Sequence, residues 1–218
     1  MNDLSANNNR EWFNTHKNRY EKAKNEVSVF CDLVLAGLNK TDVLETASGS
    51  KSMHRIYRDI RFKTDKTPYK NNFSARFMRA TAYRRGSYYL HLQPGNCFVG
   101  GGFWNPDPED LKTIRNRISV EEEAYRDVLN GANFKKYYPE ILGERLKTAP
   151  KGFEKDHSAL DLIQNKQFLL VHHFTEKEIA DKHFAKHIVL AFEAMRPYLD
   201  IMSYFLTTNL DGEMLDLK

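Results

Sequence analysis

Two long runs of apolar residues at helical spacing bracket a middle stretch spaced like strands, and this order restricts the fold more than any other feature. Trp12, His16, Tyr20, Ala23, Val27, Phe30, Val34 and Leu38 recur at gaps of three and four, which draws one stripe along a helix. Asn8 or Asn9 is its expected N-cap, Gly37 and Asn39 mark its end, and a break is expected near residues 14–17. From Asp181 a second stripe runs through Phe184, Ile188, Ala191, Phe192, Met195, Leu199 and Met202, with a kink expected at Pro197. Between them His54–Phe62, Phe73–Ala80, Ser87–Gln93 and Cys97–Trp104 are rich in aromatic and β-branched residues, with turn formers in between, and read as antiparallel strands. Phe168–Phe174 reads as a fifth.

Helix first, strands together and helices last is a segregated order. It predicts an α+β single domain over residues 1–218, with an antiparallel sheet of about five strands packed against long N- and C-terminal helices. Asp107 as N-cap and Pro108 at the first helical position start a helix buried through Leu111, Ile114 and Ile118. Ser119 and Glu122 have capping-box spacing for the next helix, Gly131 is expected to end it in a left-handed cap, and residues 132–157 read as a looser stretch.

The apolar fraction of 41% suffices for a core without staples, and Cys31 and Cys97 form neither a disulfide framework nor a zinc spacing. Cys31, on the apolar side of its helix, reads as a buried thiol. The first residues do not resemble a signal peptide and the longest apolar run, Ile188–Phe192, is too short to span a bilayer, so a cytoplasmic protein without a membrane partner is expected. A net charge of +4 excludes a strongly basic nucleic-acid binder, and anion binding has to come from local clustering.

Such clustering occurs at residues 55–70. Read as a strand, the segment puts Ile56, Arg58, Ile60 and Phe62 on one face and Arg55, Tyr57, Asp59 and Arg61 on the other. Neighbouring strands add Ser74, Arg76, Tyr89 and His91 to the polar face in one register. Arg55, Tyr57, Arg61, Arg76 and Tyr89 are candidate ligand-binding residues, because guanidinium forks match carboxylate and phosphate oxygens. Lys151, in a Pro-Lys-Gly turn, joins them if its loop reaches the sheet. The alternative is architectural: the charges satisfy one another, with Arg58 paired to a carboxylate such as Asp65. Asp59, His91 and His157 are the candidates for acid–base chemistry, and no nucleophile elbow accompanies them. His183 and His187 stand one turn apart near His172 and His173, but HExxH is absent and no metal or cofactor is expected. Gly100-Gly101-Gly102 inside a strand signals close approach by a ligand, a helix or a loop.

The segment from Arg55 to Lys70 resembles the RxxRDxRFxxDKxxY signature of a bacterial and fungal family of conserved hypothetical proteins, domain of unknown function two-four-six-one. The resemblance extends to Asn7–Phe13, to Tyr89–Leu92 with the three glycines, and to Ala149–Phe153 with Asp156-His157. Ser158 stands where the family has proline. The resemblance implies a family and no activity, so whether the chain is an enzyme stays open. The leading expectation is a small phosphate- or carboxylate-bearing ligand on the Arg/Tyr/His face. The alternative is a noncatalytic nucleic-acid or protein-binding module on the basic 55–85 surface, with Tyr69, Phe73 and Tyr83 interleaved among the cations.

Overall fold

The computed structural model describes residues 1–216 of the chain. The fold is α+β: a four-stranded antiparallel sheet in the order β1-β2-β3-β4, packed with a long N-terminal and a long C-terminal helix. In chain order come α1 (Asn2–Ala6), α2 (Arg10–Thr15), α3 (Lys17–Leu38) and α4 (Gly49–Ser52), followed by β1 (Phe73–Met78), β2 (Ser87–Leu92) and β3 (Phe98–Phe103). Then follow α5 (Pro108–Val120), α6 (Glu122–Asn130), α7 (Ala132–Tyr137), α8 (Leu160–Ile163), β4 (Phe168–His173), α9 (Glu176–Ile179) and α10 (Phe184–Thr207). Contacts gather into two compact units. One holds Met1–Met78, Tyr89–Val99 and His173–Leu190; the other holds Arg79–Tyr88, Gly100–His172 and the residues from Ala191 on.

In the first unit the caps fall where side-chain chemistry places them. Asn9 accepts the Trp12 N–H and starts α2. The expected break follows at His16, whose Nδ1 lies 2.8 Å from the Trp12 carbonyl and whose ring stacks on the Trp12 ring, so α3 starts afresh at Lys17. Cys31, Val34 and Leu38 are the buried face of α3, while Ala75 and Phe77 are the buried face of β1. Phe184 of α10 rests on Phe30 and meets Phe174 edge-on. Gly37 admits Val189, since a Cβ there would stand 2.5 Å from a valine methyl.

In the second unit Asp107 caps α5 through the N–H groups of Glu109 and Asp110, behind Pro108. Tyr125 packs on Tyr198 and Phe205, Phe134 on Tyr198, and Tyr88 on Phe192. The buried hydroxyls find carbonyls: Tyr138 donates to Ala191 and Tyr198 to Phe168. The glycine run of β3 is explained here. A Cβ on Gly101 would meet the Met195 sulfur at 2.3 Å, and one on Gly102, at φ +97°, would meet the Phe168 carbonyl at 2.1 Å. The close neighbours are therefore helix α10 and strand β4.

Four sequence expectations are corrected. The sheet has four strands, because residues 54–62 form none; among the described residues there are only isolated bridges, Met53–Ala75 just before that segment and Tyr57–Tyr69 within it. Pro68 has no N–H for a ladder, and the Asp59 and Asp65 carboxylates capture the N–H groups of Arg61 and Thr67, so the chain curls into a loop. The Ser119 hydroxyl donates back to the Asn116 carbonyl instead of capping α6, whose N-cap is Glu121. Gly131 sits at φ −53° and leads directly into α7, so the stretch after it is not wholly loose.

Candidate functional site

The motif is built from the loop upward. Arg58 reaches across it to Asp65 (Nη1 to Oδ2, 2.5 Å) and to the Thr67 hydroxyl, while Asp65 also accepts the Thr67 N–H at 2.9 Å. The Thr67 N–H first and the Arg58 guanidinium second hold the Asp65 carboxyl down at about 2. Lys66 donates to the Ile60 carbonyl at 3.0 Å. Asn8 clamps the strand-like return: its amide donates to the Tyr69 carbonyl at 2.9 Å and accepts the Tyr69 N–H at 3.1 Å. Ile56 and Tyr69 are thereby drawn into a small core with Leu4 and Phe13, under Met1, Trp12 and Tyr20.

A polar recess of about 470 Å³ opens beside this brace, lined by Ser5, Asn8, Arg58, Asp65, Thr67, Tyr69, Lys70, Asn71 and Asn72. Lys70 is half-buried in it, and its ammonium makes neither a hydrogen bond nor an ion pair among the described residues. That ammonium is pushed below the ordinary lysine range, first by burial and then by the charge of Arg55. Next to it, His54 places Nδ1 3.1 Å from the Ser74 hydroxyl, and the backbones join through the His54 N–H and the Ser74 carbonyl at 2.8 Å. Burial, then the charges of Lys70 and Arg76, lower the His54 pKa.

The sheet face alongside carries Tyr89 and His91. The Tyr89 hydroxyl lies 3.2 Å from His91 Nδ1, and His91 Nε2 lies 3.0 Å from Gln93 Oε1. His91 also stacks on Phe98, 4.6 Å between ring centroids. Both ring nitrogens are engaged.

The first unit therefore brings together Arg55, Arg76, Tyr89 and His91 with His54, Ser74 and Lys70. The last three carry the contacts that sequence reading passed over as ligand contacts: a Ser–His pair twenty residues apart depends on the Met53–Ala75 pairing, which no local pattern announces. Tyr57 leans on Tyr69 and is about half exposed. Asp59 and Arg61 close on each other in a two-pronged pair, Nε to Oδ1 at 3.0 Å and Nη2 to Oδ2 at 2.7 Å, which holds Asp59 below the usual carboxylate range. Lys151 and His157 belong to the second unit. There His157 Nδ1 accepts the Ala159 N–H at 3.0 Å, and Arg126 binds Glu122, Asp161 and the Ser158 carbonyl behind it. His187 bonds Asp181 at 2.9 Å. Among the described residues no three His, Cys, Asp or Glu side chains gather as a metal site.

The profile of the conserved hypothetical protein family DUF2461 matches residues 1–200, more than nine-tenths of the chain. The chain belongs to this family. In this DUF2461 chain the signature segment forms the braced loop, with the recess beside it. No curated protein and no solved structure matches the chain. No helix among the described residues is long and apolar enough to cross a membrane.

Proposed function

We propose that this DUF2461 protein binds a small anion, phosphate- or carboxylate-bearing, at the cationic recess and adjoining sheet face of the first unit. The observation that carries this reading is Lys70: a half-buried ammonium destabilised by burial and by Arg55, with no carboxylate partner among the described residues. A buried charge without compensation costs free energy, and a bound anion removes that cost. Arg55 and Arg76 add positive potential, and Ser74, Tyr89 and the neutral ring of His54 supply polar groups. The reading is of binding alone. Both ring nitrogens of His91 are hydrogen-bonded within the protein and Asp59 is held by Arg61, so neither is assigned a proton-transfer role.

The test is a thermal-unfolding panel with phosphate, sulfate, sugar phosphates, nucleotides and dicarboxylates, run on the wild type and on Lys70→Met. An anion at a hundred times its dissociation constant adds about 2.7 kcal/mol, which raises the midpoint of a chain this size by about 5–10 °C. Lys70→Met is expected to unfold at or above the wild-type midpoint without ligand and to lose the shift. A shift that persists in Lys70→Met, or no shift with any anion in the wild type, defeats the reading.

A further inference from the structure

The tip of the braced loop has a property the recess does not explain. Phe62 is 94% exposed, the most exposed large hydrophobic side chain among the described residues. Exposed phenylalanines on free-swinging loops are common, but this loop is pinned from inside. Arg58 holds Asp65 and Thr67, Asp65 holds the Thr67 N–H, Lys66 holds the Ile60 carbonyl, and Asp59 holds Arg61. Such bracing fixes the backbone on both sides of a ring that has the Arg61 guanidinium 6.0 Å from its centroid.

Charge completes the pattern. Residues 55–70 hold six lysines and arginines against two aspartates, a net +4. The whole chain, with 33 basic and 29 acidic residues, also carries +4, so the remainder balances at 27 of each sign. Both aspartates are engaged within the loop, whereas the ammonium of Lys63, next to Phe62, makes no hydrogen bond or ion pair among the described residues. The aromatic residues the sequence interleaves with the cations are otherwise placed: Tyr69 is buried, Phe73 stacks on Tyr20 and the Tyr83 hydroxyl donates to the Leu215 carbonyl.

We infer that the Phe62 loop is a docking element for single-stranded nucleic acid, Phe62 offering its ring to a base and Lys63, with Arg61 beside the ring, facing the phosphates. A preset ring with cations on its flanks is what sequence-tolerant strand binding uses. An anionic membrane fits less well, because insertion favours a broad apolar face and Phe62 is followed by Lys63 and Thr64. The Lys70 recess plays no part in this docking.

The experiment is fluorescence anisotropy with labelled fifteen-nucleotide dT and rU strands at low salt, on the wild type, Phe62→Ala, Phe62→Trp and Lys63→Ala. Duplex DNA and phosphatidylserine vesicles are run in parallel. Phe62→Ala is expected to bind roughly 5- to 150-fold more weakly with an unchanged unfolding midpoint. Phe62→Trp should restore binding, with its fluorescence quenched by the strand. Lys63→Ala should reduce the salt slope by about 0.7. Absence of saturable binding to either strand overturns the inference, as does equal binding by Phe62→Ala or a Phe62-dependent preference for vesicles. Lys70→Met separates the two proposals: it removes the small-anion shift, and in its background Phe62→Ala should still weaken strand binding by the same factor.

Discussion

At the scale of single residues, the chemistry of this chain depends on which charged groups are satisfied and which are not. Arg61 and Asp59 satisfy each other in solvent, where such pairs contribute little to stability. Lys70 and His54 have no acidic partner among the described residues, and each is pushed toward its neutral form. For His54 the sign follows from linkage. Its folded pKa lies below the ordinary 6.5, so the unfolded chain takes up the proton more readily. The stability contributed by neutral His54 is fully present above about 6.5 and is lost as the pH falls through its folded pKa. In an NMR titration the His54 ring signals should move with a midpoint below 6.5. Substituting Arg76 by methionine should bring that midpoint up, and a midpoint unchanged in the variant would deny that the Arg76 charge acts on His54.

At the scale of elements, each unit has its own polar anchor. In the first, the 58–67 loop is held by side chains of its own sequence and by Asn8. In the second, Arg79, with its side chain 1% exposed, leaves the end of β1 to bind Asp200 of α10 together with Ser203 and the Arg85 carbonyl. Arg117 likewise pairs with Glu121, donates to the Asn209 carbonyl and lies over the Tyr204 ring. A buried guanidinium cannot lose its proton, so removing it leaves several acceptors without a donor. Arg79→Met should lower the unfolding free energy by about 3 kcal/mol in urea titrations, even with Asp200 half exposed. A loss under about 1 kcal/mol would mean that the pair is replaceable by apolar contact.

At the scale of the whole molecule, the two thiols report on how well the core is closed. Cys31 has no exposed surface and burial pushes its thiol up to about 11; Cys97 is buried and raised for the same first reason. Thiolate is the reactive form, so neither cysteine should react with a disulfide reagent at about pH 8 within minutes, and both should react on addition of denaturant. Rapid reaction of one thiol in the native protein would place an opening at that cysteine's element.

The sequence by itself determined the elements whose signals are local. Apolar spacing and caps such as Asn9 and Asp107 act within a few residues, so α2, α3, α5 and α10 and three consecutive strands were legible, as was the partnership of Arg58 with Asp65 seven residues away. The family signature was legible for the same reason. The loop at residues 54–62 has a local cause that a strand reading overlooks, since Asp59 and Asp65 capture the N–H groups of Arg61 and Thr67 and Pro68 interrupts a ladder. Tertiary structure decided where the loop is clamped, through Asn8 on Tyr69. It also decided that His54 meets Ser74, that Lys70 stands without a carboxylate among the described residues, and that Phe62, and not Tyr69, reaches solvent. Those outcomes depend on the register in which distant segments meet and on burial, and neither is encoded in any one window of the chain.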